Sequence, residues 1–133
     1  MFYYFDVLKR AGTFERINAT LNELDRKQAG KLPTPSLVCI DSQSRSADAL
    51  KLSPLIHEDR GLDPNKRVNG RKRQLIVDTQ GRLWIAHVHS ANQADGPAGC
   101  ALIGDVLWRL GERLEKVLGD QAYNRHGGPW GVR

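Results

Sequence analysis

At 133 residues, with 40% apolar residues and a formal charge of +5, the chain has the length of one domain and enough apolar content for one core. This composition argues against a fibrous or disordered class, and the basic balance, with a pI near 9.5, points to a polyanionic partner such as nucleic acid. No stretch is long enough to span a membrane, and "MFYYFDVLKR" carries Asp6 and lacks both a basic lead-in and a small-residue cleavage site. It does not read as a signal peptide, so the cytoplasm is the expected compartment. Cys39 and Cys100 both lie in apolar segments and read as buried thiols in a reducing environment.

In chain order, residues 2–9 suit a short helix, ended by "AGT" at 11–13. Thr13 suits an N-cap, and Phe14, Ile17, Leu21 and Leu24 follow at helical spacing as far as Gly30. The linker "KLPTPS" (31–36) holds two prolines in three residues and excludes helix and central strand. A buried first strand, 37–41, delivers Asp41 at its end, and polar residues 45–68 read as a long loop. Residues 73–89 read as a hairpin around "DTQG", with strands 73–78 and 83–89 and Gly81 supplying positive φ. A helix is expected over 97–110, with Asp95 or Gly96 near its cap and Ala98, Leu102, Ile103, Val106, Leu107 and Leu110 as its apolar stripe. The short fourth strand, "KVLGD" (116–120), again ends in an aspartate, and the glycine-rich tail shows no period.

This order gives an α/β fold with a ribonuclease-H-like mixed sheet. A meander of three strands is followed by a helix and by a fourth strand lying parallel beside the first. Asp41 and Asp120 would then converge from distant parts of the chain. Two carboxylates held close repel unless a cation lies between them, and Mg²⁺ suits carboxylates, water and phosphate oxygens. Asp78 fits the hairpin turn better than a metal site, and Asp95 fits a helix cap while sharing the sheet edge with Asp41.

The blocks "PSLVCIDSQS", "GLDPNKRVNGRKRQLIVDTQGRLW", "HVHSANQADGP" and "LEKVLGDQAYN" together resemble the catalytic core of DDE-type bacterial insertion-sequence transposases, within the insertion sequence 5 family. The similarity runs from about Tyr3 to Asn124 in order and in spacing. It implies a ribonuclease-H-like fold and DNA cleavage and joining (DNA transposition) with Mg²⁺ or Mn²⁺. Asp41 in "IDSQS" matches the family's first acid and Asp120 in "GDQAY" its second. The family's third acid, a Glu in a downstream Tyr-Arg-Glu-Lys helix, has no match, and "RHGGPWGVR" does not resemble the family's continuation. The resemblance therefore implies a core truncated at both ends, with a helical segment and linker at 1–34, a partial catalytic core at 35–124 and an unrelated tail at 125–133. Such a chain would bind metal weakly and be inactive alone. Its partners would be DNA and either full-length transposase or a second copy, with no membrane. A DNA-binding remnant or regulator is the other reading.

Lys66, Arg67, Arg71, Lys72 and Arg73 form a basic cluster suited to phosphate contact, which gives affinity without sequence readout. Its bland counterpart is edge-strand charge that discourages aggregation. His87 and His89 alternate on one strand and share a face, but no further ligand sits at metal-binding spacing. Trp84 and Trp108 read as packing residues.

Overall fold

A computed structural model describes residues 2–46, 61–63 and 67–124. Helices α1 (Phe2–Arg10) and α2 (Thr13–Gln28) precede strand β1 (Leu37–Ser46). The short β2 (Gly61–Asp63), β3 (Val68–Asp78) and β4 (Leu83–Ser90) follow. Helix α3 (Asp95–Leu110), one 3-10 turn at Gly111–Arg113, β5 (Lys116–Leu118) and the short α4 (Gln121–Asn124) complete the described chain. Strands β1, β3 and β4 form the antiparallel meander, and β5 lies parallel to β1 through Leu37–Lys116, Val38–Val117 and Cys39–Leu118. The result is a mixed α/β sheet. No described helix is long and apolar enough to cross a membrane.

Two expectations need correction. Strand β1 does not stop at Asp41 but continues to Ser46, because β3 begins at Val68 and pairs with it as far as Ser46–Gly70. The stretch read as a loop up to residue 68 also contributes β2, which pairs with the start of β3. Residues 47–60 and the tail 125–133 lie outside the described residues.

Strand alternation organises the core. Along β3, residues Lys72, Gln74, Ile76 and Asp78 are buried, while Arg71, Arg73, Leu75 and Val77 are half-buried. The buried set faces α3, whose Leu102, Ile103, Val106 and Leu110 close over Val38, Ile40, Ile76, Ile85 and Val117. Trp84 joins this core, whereas Trp108 is 87% exposed and does not pack as expected.

The hairpin turn is built on Asp78. Gly81, at φ 81°, donates its N–H to the Asp78 carbonyl at 3.0 Å. The Asp78 carboxylate accepts the N–H groups of Gln80 and Arg82 at 2.9 and 3.1 Å, and Arg26 Nη1 at 2.7 Å. Arg26 also donates to the carbonyls of Leu32 and Thr34. Burial alone would push the Asp78 carboxyl up, but the N–H groups of Gln80 and Arg82 and the Arg26 guanidinium outweigh it and hold it below its ordinary value.

Replacing Arg26 by Ala should destabilise the fold by about 3–5 kcal/mol, because a buried carboxylate loses its counter-charge. Denaturant unfolding measures this. Because the native Asp78 value is depressed, its stabilisation is complete above the unfolded carboxylate range and is lost as pH falls through the native value. Asp78→Asn should therefore flatten the acid side of the stability–pH curve.

Candidate functional site

The β1–β5 register carries the candidate site. Leu37 pairs with Lys116 and Cys39 with Leu118, and each strand is followed two residues later by an aspartate, Asp41 after Cys39 and Asp120 after Leu118. Both aspartates are exposed. Asp41 Oδ1 accepts the N–H of Ser42 at 2.8 Å, and Asp120 Oδ1 accepts that of Ala122 at 2.9 Å. Asp120 thereby caps the first turn of α4, as a short carboxylate does at a helix start.

Tyr123 is a residue that sequence reasoning quoted but gave no role. It is buried, and its ring fills the space between α3, the end of β5 and Ile40. Two glycines make that space. A Cβ at Gly99 would lie 2.5 Å from Tyr123 Cε1, and one at Gly119 would lie 2.9 Å from Ile40 Cγ2 and 3.0 Å from Tyr123 Cδ2. Burial pushes the Tyr123 phenol well above its ordinary value, the nearby Ser42 side chain opposes this, and the charges of Asp95, Asp120 and Asp41 add to the rise. The sequence signal for it was two glycines, Gly99 within α3 in "GPAGC" and Gly119 ahead of α4 in "VLGDQAY".

Asp95 is not a cap. The N-cap is Ala94, without a side-chain hydrogen bond, and Asp95 is the first residue of α3. Its carboxylate lies 2.9 Å from Lys72 Nζ, and its carbonyl accepts Gln74 Nε2 at 3.0 Å. Lys72 also donates to the Gln93 carbonyl at 3.1 Å. Two buried polar side chains of β3 therefore clamp the start of α3.

This placement divides the basic cluster. Lys72 is 4% exposed and neutralises Asp95 instead of facing a phosphate. Arg71 and Arg73 point to the other face of β3, where Arg73 pairs with Gln43 and Leu75 with Asp41. Arg73 Nη2 lies 3.3 Å from Gln43 Oε1. Asp41, Gln43, Arg71 and Arg73 therefore share the sheet face opposite α3. Arg67 is exposed at φ 50°, and Lys66 lies outside the described residues.

His87 and His89 pair across from Gln74 and Lys72 and so share the helix-covered face, with His87 Nε2 3.1 Å from Asp105. Cys39 and Cys100 are free and half-buried, not fully buried. Among the described residues, no group of three or more His, Cys, Asp or Glu could hold a metal ion. Asp41 and Asp120 still supply two hard oxygen donors of the kind Mg²⁺ takes, since that ion commonly binds one or two carboxylates and completes its shell with water and phosphate.

Gly99→Ala should cost about 1–3 kcal/mol by forcing the Tyr123 ring out of place. Tyr123→Phe, which keeps the ring, should cost less, and thermal unfolding of the two variants separates the effects.

The family model of the transposase DDE domain matches residues 32–128, well over half of the chain. No curated protein and no solved structure matches the chain.

Proposed function

The chain belongs to the transposase DDE domain family, and we propose that Asp41 and Asp120 hold a divalent cation for DNA strand cleavage and joining in transposition. The observation that supports this reading is the parallel β1–β5 pairing, whose last pair, Cys39–Leu118, lies two residues before each of the two acids. The strand order, with β5 beside β1 and the β1–β3–β4 meander beyond, supports a ribonuclease-H-like sheet, and the quoted blocks support an insertion sequence 5 type of element.

A bound Mg²⁺ or Mn²⁺ would supply Lewis-acid stabilisation of charge on phosphate oxygens. The protein's part is to hold the two carboxylates on a rigid sheet edge, with the cap at Ala122 fixing the Asp120 side chain and the Ser42 N–H fixing Asp41. Arg71 and Arg73, on the face of Asp41, neutralise the DNA backbone alongside. Lys72 keeps Asp95 out of the ligand set, and the Arg26 pair does the same for Asp78. Among the described residues, two carboxylates then give a weak site, and strand transfer requires a further acid beyond them.

Mn²⁺ titration of the chain should show weak binding, roughly millimolar as in other low-charge sites. Asp41→Asn and Asp120→Asn should each abolish it, and binding that survives both substitutions would overturn the site. Strand-transfer assays on DNA carrying cognate ends should show little product, because two carboxylates hold the cation weakly. Robust product that either substitution abolishes would keep the site and refute the requirement for a further acid.

DNA binding should weaken with salt. Arg71→Ala and Arg73→Ala should each reduce the slope of log K against log salt by roughly 0.9, one phosphate contact apiece. Lys72→Ala should leave the slope unchanged while lowering stability. A fall in slope with Lys72→Ala alone would show that the buried lysine reaches DNA.

A further inference from the structure

Helix α2 is docked the wrong way round for an amphipathic helix. Its polar side faces the protein: Asn18 and Asn22 donate to the Leu83 carbonyl at 2.8 and 2.6 Å, Asp25 pairs with Arg82, and Arg26 reaches Asp78. Its apolar stripe faces out, with Phe14 41%, Ile17 50%, Leu21 59% and Leu24 56% exposed. Helix α1 adds to this surface. It buries none of its residues, and its Phe2, Tyr3, Tyr4, Phe5, Val7 and Leu8 are all exposed. The Phe5 and Phe14 rings meet at 5.5 Å, so the two helices form one continuous patch.

A nine-residue helix with nothing buried is marginal in water, since isolated helices shorter than about 12–15 residues rarely persist. The exposed aromatic rings alone offer roughly 600 Å², taking about 200 Å² per fully buried ring. The largest apolar patch on a typical monomer is about 300–600 Å², and a standard interface covers about 800 Å² on each partner. With the aliphatic residues added, the patch has the size of an interface.

We propose that the α1–α2 face is covered by the same face of a second copy of this chain, with the two α2 helices antiparallel. The stripe itself supplies the argument for a copy over an unrelated partner. Its positions, 14, 17, 21 and 24, are spaced three, four and three residues apart and read the same in both directions. Under a two-fold axis crossing between Ile17 and Leu21, Phe14 of one copy meets Leu24 of the other, and Ile17 meets Leu21. This is the self-complementarity that an isologous interface requires. The three–four spacing is also that of a two-helix seam. Of the residues bordering the stripe, Thr13, Asn18, Thr20 and Gln28 carry no charge, Arg16 donates to Thr13, Lys27 lies at the far end, and the carboxylate of Asp25 is held by Arg82. Under the same axis Arg16 meets Asn22 and Lys27 meets Ala11, and the antiparallel arrangement sets opposite helix dipoles together.

The inference is independent of the metal and DNA reading, and its test involves neither. Sedimentation equilibrium of the full chain should show a dimer. Ile17→Glu with Leu21→Glu should weaken it by at least about tenfold, as a charge buried in an apolar seam does. Trp108→Glu, at an exposed site on α3, should leave it intact. Far-ultraviolet circular dichroism checks that the variants are folded. In a background with Cys39→Ser and Cys100→Ser, a mixture of I17C and L21C chains should form disulfide-linked pairs more readily than either variant alone. That arm decides the matter if the glutamate variant fails to fold. A monomeric chain, a dimer indifferent to the glutamates, or preferential I17C–I17C linkage would each overturn the proposal.

Discussion

The buried Arg26–Asp78 ion pair holds the rest of the structure in place. Its two charges come from α2 and from the last residue of β3, and the Arg26 guanidinium also holds the linker carbonyls of Leu32 and Thr34. The linker is fixed from its other side by Arg113, which donates to Thr34, and by the N–H groups of Glu115 and Lys116, which donate to Ser36. Helix, hairpin turn and the entry to β5 therefore meet at one point. A buried pair of this kind adds little net stability over an apolar substitute, but breaking it strands a charge. Its value here lies in register. Asp78 shapes the turn, the turn fixes β4 against β3, and Asp78 itself pairs with Val38 of β1.

Register matters because the candidate site residues alternate along their strands. A slip of one residue between β1 and β3 would exchange the faces of the paired side chains. Lys72 and Gln74 would then leave the start of α3, and Arg71 and Arg73 would part from the face of Asp41. The same alternation also places a charge. Asp95 opens α3 as a half-buried carboxylate that needs a counter-charge. The buried ammonium of Lys72 neutralises it from the helix side of the sheet. A basic run of consecutive residues thus does two jobs. Its odd members face outward beside Asp41, and its even member serves the core.

Much of the fold was legible in the sequence, and the failures lie where long-range pairing, not local pattern, decides. Apolar runs and turn residues located the meander, α3 and β5, since "DTQG" and the α3 stripe carry their periods openly. The proposal of Asp41 and Asp120 rests on strand order together with the family blocks. The length of β1 was missed because "SQSRS" and "VNGRKR" are polar on both faces at that end, and pairing there is stabilised by a partner strand, not by apolar alternation. The burial of Lys72 was missed for the same reason: without knowing that β3 starts at Val68, the basic run has no inner and outer face. The cap assigned to Asp95 failed because Lys72 lies out of local sequence reach and competes for the carboxylate.

Helix α2 marks the limit of reading by period. The spacing of Phe14, Ile17, Leu21 and Leu24 identifies a helix with one apolar side, and that much holds. It does not say what that side meets. Here the contacts that orient the helix are polar and specific: two asparagines converge on one carbonyl of β4, and an arginine is committed to a buried carboxylate. Rotating α2 to bury its stripe would break all three and leave Asp78 uncompensated beneath the hairpin. The apolar side is therefore exposed because the polar side is needed inside. The interaction that fixes the sheet register thus also determines which surface the chain presents outward.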